Sequence, residues 1–314
     1  MKPILFLHIP KTAGSSLNKS ATDWLGDKAV ERDYGPEKYF SSSLVKQHIY
    51  GAGAIDEFGF FSAFQAEQKA WLSGHFHADR YVHLFGAQNT ISFVRDPVER
   101  VISEYNYLVN KHDLRQSFKE FYRSPAETNK QFRMLGQFPW QAFYLVGSTE
   151  HYSDCLEFIS LGKAVEIYEN QINKKYPTSH ATLNAETLTD IAKWNARDYL
   201  FVSEARAYLE KQFDARQHGK AFCYHDIGFI ADQHIIGWAF YSDSEDPANI
   251  ALYVNGGRRQ TIYASEHRPE LQTLQTPRSG HNGFRFSLEN YKNADRIEVK
   301  ALNTDQTLWC WSKL

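Results

Sequence analysis

Residues 4–16 read ILFLHIPKTAGSS, an apolar run that passes directly into a turn of small and hydroxyl-bearing residues. The nearly continuous apolar sequence from Ile4 to Ile9 is typical of a strand buried on both faces of a parallel sheet. Four later apolar residues recur at the spacing of one helix face: Leu17, Ala21, Trp24 and Leu25. The stretch therefore predicts a strand, a tight turn and a helix.

The turn has the composition of a phosphate-binding loop. Gly14 and the hydroxyl residues around it expose backbone N–H groups at a helix N-terminus, where unpaired donors and the helix dipole attract phosphate. Lys11 adds a positive charge but precedes the glycine, unlike the order GxxxxGK(S/T) of magnesium-dependent NTPases. No hydrophobic strand ends in an acidic residue placed like their magnesium aspartate, so that class is disfavoured. The alternative is an ordinary strand-to-helix turn with a surface lysine.

A second motif, RDPVERVIS at residues 95–103, follows another apolar run over residues 90–94. This run predicts a second buried strand. Asp96 is expected to be the N-cap of the next helix, with Pro97 in its first position and Glu99 completing a capping box.

Arg95 falls at the carboxyl end of that strand, where open α/β sheets bind their ligands. Ser103 lies about two helical turns further on. A guanidinium group matches phosphate oxygens in two-bond geometry, so an arginine with a hydroxyl suits a phosphate monoester. The alternative is a structural ion pair of Arg95 with Asp96 or Glu99.

The chain changes character near residue 218. Before it, a short strand over 163–168 and a long helix over 186–213 continue an alternation that predicts a parallel α/β sheet. After residues 215–219, short segments rich in β-formers are separated by turns: 235–240, 250–254, 283–288, 297–302 and 307–311. We predict an α/β domain over 1–218, P-loop-like with three layers, and a small antiparallel β-sandwich over 219–314.

Composition excludes several classes of protein. Apolar residues make up 42% and charged residues 23% of the 314 residues, which is globular composition. No apolar run approaches the roughly 20 residues of a membrane span. The net charge of −2 does not favour nucleic acid as a partner. Three dispersed cysteines form neither a disulfide framework nor a CxxC site, and no export signal is recognised, so we expect a cytoplasmic protein. Oligomeric state is not indicated.

The two motifs together resemble the 5′-phosphosulfate loop and the 3′-phosphate site of sulfotransferases that use 3′-phosphoadenosine-5′-phosphosulfate (PAPS). HIPKTAGSS (8–16) is similar to hIPKTgGtS, and RDPVERVISEY (95–105) to RdPveRviSeY, of the Golgi carbohydrate sulfotransferases, including heparan sulfate 2-O-type enzymes, and their bacterial relatives. Residues 71–77 and 188–199 resemble two further family segments, and residues 129–136 are a looser match to another. Two departures are Ala13, where glycine is common, and the loop at 178–180.

The resemblance implies the fold, the donor and a set of site residues. PAPS is the expected co-substrate, with no metal, and the acceptor is a hydroxyl of a glycan or glycoconjugate. Lys11 would stabilise the leaving phosphate in place of magnesium, supported by the backbone amides of Thr12, Ala13, Gly14, Ser15 and Ser16. Arg95 and Ser103 would hold the 3′-phosphate, with Arg133 a further donor-site candidate.

An acceptor hydroxyl must lose a proton as it attacks, so a base is expected. The resemblance places it at His75, whose imidazole titrates near neutral pH. Alternatives are Glu104 as the base, His75 as a core residue, or His75 and His77 on one strand face as zinc ligands without a recognisable third. His8 is expected to act only indirectly.

Two other functions stay open at this point. The chain is alternatively an inactive glycan-binding or scaffolding protein, or a nucleotide kinase with a degenerate P-loop. Four aromatic residues of the second domain form either a sugar platform or, as we favour, part of its core: Trp238, Tyr241, Trp309 and Trp311.

Overall fold

A computed structural model describes residues 2–37, 39–159, 178, 182–230 and 233–313. It divides into two compact units, Met1–Phe85 with Asn89–Trp140 and Tyr144–Leu209, and Gly86–Gln88 with Gln141–Phe143 and Glu210–Leu314. The strand expected over 163–168, and positions 179 and 180 of the late loop, lie outside the described residues. The domain boundary at 218/219 stays a prediction.

The first unit contains a five-stranded parallel sheet flanked by helices, as expected for an α/β fold. Its strands are β1 (Ile4–Leu7), β2 (Val30–Asp33), β3 (Trp71–Gly74), β4 (Thr90–Val94) and β5 (Leu145–Ser148). The helices are α1 (Gly14–Leu25), α2 (Ser43–His48), α3 (Glu57–Ala66), α4 (Val82–Phe85), α5 (Pro97–His112), α6 (Phe118–Tyr122), α7 (Tyr152–Phe158), α8 (Ala185–Trp194) and α9 (Ala196–Gln217).

The strand order β2-β3-β1-β4-β5 sets where a ligand can bind. Strands β3, β4 and β5 are buried along their whole length, which explains why none of them contains a charged residue. The chain leaves β1 toward β2 and leaves β4 toward β5, on opposite sides. Such a reversal opens a crevice at the carboxyl ends of the two strands, the usual ligand position in open α/β sheets.

Two predictions about helices are corrected. The helix expected over 186–213 is two helices, α8 and α9, separated by Asn195, which is fully buried. Its side chain donates to Ile191 O (3.0 Å) and accepts from Asn129 N (2.9 Å), so it bonds backbone groups at the helix break. Trp24 is 41% exposed and not part of the buried face of α1.

The second unit is built from two four-stranded antiparallel sheets, ordered β10-β11-β7-β6 and β13-β12-β8-β9. Their strands are β6 (Cys223–Ile230), β7 (His234–Tyr241), β8 (Asn249–Val254), β9 (Gly257–Tyr263), β10 (Glu266–His267), β11 (His281–Ser287), β12 (Arg296–Ala301) and β13 (Gln306–Ser312), and the short helix α10 (Pro269–Thr273) precedes β11. One hydrophobic core takes residues from both sheets, which confirms the sandwich.

The aromatic residues of this unit mostly pack in its interior. Trp238 and Tyr241 are buried, and Trp309 packs against the core, whereas Trp311 is 43% exposed. The first two therefore do not form an exposed sugar platform. None of the described helices in either unit has the length and apolar character that crossing a membrane requires.

Candidate functional site

The loop between β1 and α1 ends in a helix N-terminus without a side-chain cap. Ala13 is the N-cap residue, with φ at 66°, and the first turn of α1 contains no acidic residue. Alanine has no acceptor with which to cap the first N–H groups, and no carboxylate competes for them. Thr12 is buried, and its hydroxyl donates to Ile9 O at 2.8 Å. The loop is thus held by its own bonds and leaves the helix N-terminus suited to an anion.

Ala13 adopts a backbone conformation that glycine occupies without strain, because its φ lies in the left-handed region. This explains the glycine common at the matching position of the resembling family. The departure at Ala13 therefore preserves the loop conformation, at a small cost in stability.

Gly14 is required by the imidazole of His8. A Cβ atom at position 14 would lie 2.0 Å from the Cδ2 and Nε2 atoms of His8. His8 is buried, and its ring stacks on Phe6 with centroids 5.4 Å apart. The start of α1 therefore packs directly against the His8 ring.

Gly14→Ala is expected to destabilise the protein by roughly 1–3 kcal/mol, because the added methyl group must displace a packed ring. Ser15→Ala, at the next and exposed position, should change stability by less than about 0.5 kcal/mol. Chemical denaturation of the two variants measures the difference. Equal stabilities would show that the His8 ring moves aside without cost.

Lys11 lies beside helix α5. Its Nζ atom is 4.3 Å from the ring centroid of Tyr107, a cation–π contact. Burial lowers the pKa of the Lys11 ammonium group, the positive charge of Arg95 lowers it further, and the carboxylate of Glu104 raises it. Glu104 and Tyr107 are three residues apart on α5 and so share a face. The sequence motif missed Tyr107, although its spacing from Ser103 puts it on the same side of the helix.

Arg95 connects the two predicted phosphate motifs. Its Nη1 donates to Lys11 O at 3.4 Å, and its Nη2 lies 3.5 Å from the Glu99 carboxylate. Asp96 caps α5 as predicted, accepting from the backbone N–H groups of residues 98 and 99. The other half of the expected capping box is wrong, because Glu99 faces Arg95 instead. The structural ion pair and the contact with the Lys11 loop thus coexist at one guanidinium group.

His75 follows the carboxyl end of β3 and is exposed. Its ring lies 4.6 Å from that of His8 and 4.8 Å from that of Tyr34, both edge to face. His8 Nδ1 is 3.2 Å from the Tyr34 hydroxyl, which also accepts from Asn18 Nδ2 at 2.7 Å. The three rings therefore form a cluster that joins the ends of β1, β2 and β3.

Burial, with smaller contributions from His75 and Lys11, holds the pKa of His8 well below its ordinary value, so this imidazole is neutral at pH 7. A neutral His8 adds no positive charge to the ring cluster. Tyr34 was not anticipated from the sequence, since it follows a strand that the sequence did not indicate.

The remaining predicted residues occupy the surroundings of this centre. Ser103 is half-buried on α5, four residues after Glu99 and on the same helix face. The Glu104 Oε2 atom is buried and makes no hydrogen bond to any described residue. Arg133 is exposed and donates to Ala126 O at 2.9 Å, so its place in a donor pocket stays a prediction.

The zinc alternative rested on two histidines sharing a strand face. Strand β3 ends at Gly74, so His75 and His77 both lie in the following loop, which corrects that expectation. The His77 Nδ1 atom lies 3.2 Å from Arg133 O. Within the described ranges, no group of three or more His, Cys, Asp or Glu side chains is arranged to hold a metal ion.

Residues 1–138 match the family model described as "Sulfotransferase family". This match supports the assignment of residues 1–138 to the sulfotransferase family. No curated protein matches the sequence. Among solved structures, a sulfotransferase from Alicyclobacillus acidocaldarius is similar with a TM-score of 0.37 and 15% identity, covering 65% of this chain and 95% of that one.

The family match spans both predicted phosphate motifs and the loop that contains His75. It therefore supports a transferase of sulfuryl groups.

Proposed function

We propose that this protein is a PAPS-dependent sulfotransferase that acts on a hydroxyl group of a glycan or glycoconjugate. The observation that carries the proposal is the meeting of two cationic loops at the carboxyl ends of β1 and β4, where Arg95 Nη1 lies 3.4 Å from Lys11 O. A donor with phosphates at two positions requires two separate cations that share one crevice.

The first cationic loop suits the sulfated 5′ end of the donor. The uncapped N-terminus of α1 supplies backbone donors, and Lys11 supplies a positive charge beside them. As the bond between sulfur and the bridging oxygen breaks, negative charge grows on the leaving phosphate. An ammonium group stabilises that charge without a metal ion, by the electrostatic principle that governs phosphoryl transfer.

The second cationic loop suits the 3′-phosphate. Arg95 is partly exposed, and its guanidinium contacts a carbonyl oxygen and a carboxylate at 3.4 and 3.5 Å, both longer than strong charged hydrogen bonds. We expect a phosphate to replace these loose contacts with shorter ones. Ser103, further along α5, would add a hydroxyl donor.

His75 suits the acceptor side. It is exposed at the end of β3, next to the strand that carries the Lys11 loop, and a neutral histidine lies beneath it. In the proposed step an acceptor oxygen attacks sulfur, its proton passes to the His75 imidazole, and the electron pair of the broken sulfur–oxygen bond remains on the phosphate.

Nucleotide binding in the absence of magnesium tests the proposal. Adenosine 3′,5′-bisphosphate, the desulfated product, should raise the melting temperature in EDTA, with a stabilisation of about 2.7 kcal/mol at ~100 times its Kd. PAPS should then transfer sulfate to members of a glycan panel, detected by mass spectrometry.

Two outcomes point elsewhere. Stabilisation by ATP with magnesium, and none by the bisphosphate, indicates the kinase with a degenerate P-loop. Binding of the bisphosphate and of glycans without any turnover indicates an inactive binding protein.

A further inference from the structure

A buried glutamine pairs with the backbone of Arg95. The Gln131 Oε1 atom accepts from Arg95 N at 2.9 Å, and its Nε2 atom donates to Arg95 O at 2.9 Å. Gln131 is 0% exposed. A primary amide that bonds both polar groups of one residue fixes that residue's backbone, and so fixes the direction of its side chain at the end of β4.

Gln131 is itself fixed by the start of α9. The Asp198 carboxylate accepts from Gln131 N at 3.3 Å and from Phe132 N at 2.7 Å. Asp198 is 0% exposed, and its burial raises the pKa of its carboxyl group, an effect that these hydrogen bonds and Arg100 partly offset. The position of Arg95 therefore depends on a carboxylate about 100 residues later in the chain.

A second pair of side chains joins the same two segments. Asn129 N donates to Asn195 Oδ1 at 2.9 Å, while Asn129 Oδ1 accepts from Arg197 N at 3.0 Å and Asp198 N at 3.2 Å. This reciprocal bonding ties the turn before Gln131 to the break between α8 and α9. Both segments are among those whose sequences resemble sulfotransferases, and these hydrogen bonds give each a structural role.

We propose that Gln131 is a positioning residue for recognition of the donor's 3′-phosphate, acting through Arg95 and supported by Asp198. The inference rests on the proposed function, because it takes Arg95 as the group that binds this phosphate. Gln131 is fully buried, so any effect it has on the donor must pass through another residue. Its bonds to both backbone groups of Arg95 identify that residue.

The ratio of affinities for two nucleotides isolates this role. Adenosine 3′,5′-bisphosphate carries the 3′-phosphate and adenosine 5′-monophosphate lacks it. Calorimetric titration of the full chain should show a preference for the bisphosphate, which Arg95→Ala lowers roughly 10- to 100-fold. Gln131→Met keeps the side-chain volume and removes both bonds. It should lower the ratio about 3- to 10-fold and leave the monophosphate affinity unchanged.

A double-mutant cycle tests the route of the effect. If Gln131 acts through Arg95, then Gln131→Met should have no further effect on the ratio in the Arg95→Ala background. Glu31→Gln is the matched control. It weakens a different buried polar contact of the same unit, the 2.9 Å ion pair between Glu31 in β2 and Lys69, which lies just before β3. The control should leave the ratio unchanged. If Gln131→Met does not fold, Asp198→Asn takes its place. It weakens the hydrogen bonds that Asp198 accepts from Gln131 N and Phe132 N, and it should lower the same affinity ratio.

The outcomes are distinguishable. A Gln131→Met protein with an unchanged ratio, or with equal losses for both nucleotides, overturns the positioning role and leaves the proposed function standing. A wild-type protein that shows no preference for the bisphosphate overturns the proposed function, and this inference with it.

Discussion

Lys11→Ala is expected to lower kcat roughly 100- to 1,000-fold, the usual effect of removing one group that stabilises transition-state charge. The ammonium group belongs to the loop that leads into the uncapped start of α1, and its partial burial strengthens its interaction with a developing negative charge. Steady-state kinetics with PAPS measures the loss. Lys19→Ala removes an exposed lysine from the same helix and should leave kcat within about twofold.

The pH profile separates an electrostatic role of Lys11 from a packing role. Burial and Arg95 lower the pKa of Lys11, so the protonated form that stabilises the phosphate is lost at a lower pH than for an ordinary lysine. We expect kcat to fall on the alkaline side accordingly. Glu104→Gln removes the charge that raises this pKa and should shift the alkaline fall to still lower pH. An alkaline limb unchanged in Glu104→Gln would contradict the assignment.

Strands β1 and β4 and the start of helix α5 were predictable because their sequence signals are local. The apolar runs of β1 and β4 need no distant partner to be recognised, and Asp96 caps α5 through bonds to residues two and three positions away. The phosphate motifs lie directly after these strands. Because β1 and β4 are parallel and adjacent, their carboxyl ends lie at the same edge of the sheet, and the two motifs meet there.

Other parts depend on distant residues and were not predictable. Strand β2 reads VERD, whose charged residues argue against a buried strand, yet Glu31 pairs with Lys69 at 2.9 Å and Asp33 accepts from the hydroxyl groups of Tyr50 and Tyr81 at 2.8 Å each. These partners compensate the burial of the two carboxylates. Tyr34 follows this strand, so the ring cluster around His75 was missed as well.

Gln131 was missed for the same reason, because its hydrogen-bond partners are distant in sequence. A glutamine in a polar stretch gives no sign of burial, and its two bonds to Arg95 join positions 36 residues apart. The order of the strands and the helix break at Asn195 bring together the segments that contain Arg95, Gln131 and Asp198.

His75→Ala is expected to abolish most turnover, lowering kcat roughly 100- to 10,000-fold, the range typical of a lost general base. Binding of adenosine 3′,5′-bisphosphate should persist with little change, because the contacts proposed for the phosphates come from the loops after β1 and β4. Turnover assays and calorimetry on the same preparation measure the two effects separately. His77→Ala, which removes an exposed histidine two residues later, is the matched control and should retain turnover.

Added imidazole tests whether the missing side chain acted as a base. Because His75 is exposed, its removal leaves a space open to solvent, and free imidazole should restore part of the lost rate. Glu104→Gln should shift the alkaline limb, as argued above, and keep the acid limb and most of the activity, which distinguishes a neighbour of Lys11 from the alternative base. If His75→Ala instead lost the bisphosphate, the ring would be a support for the loop through His8 and not the proton acceptor. The cluster geometry favours the base, since the buried His8 ring packs against Gly14 whereas His75 is exposed to solvent.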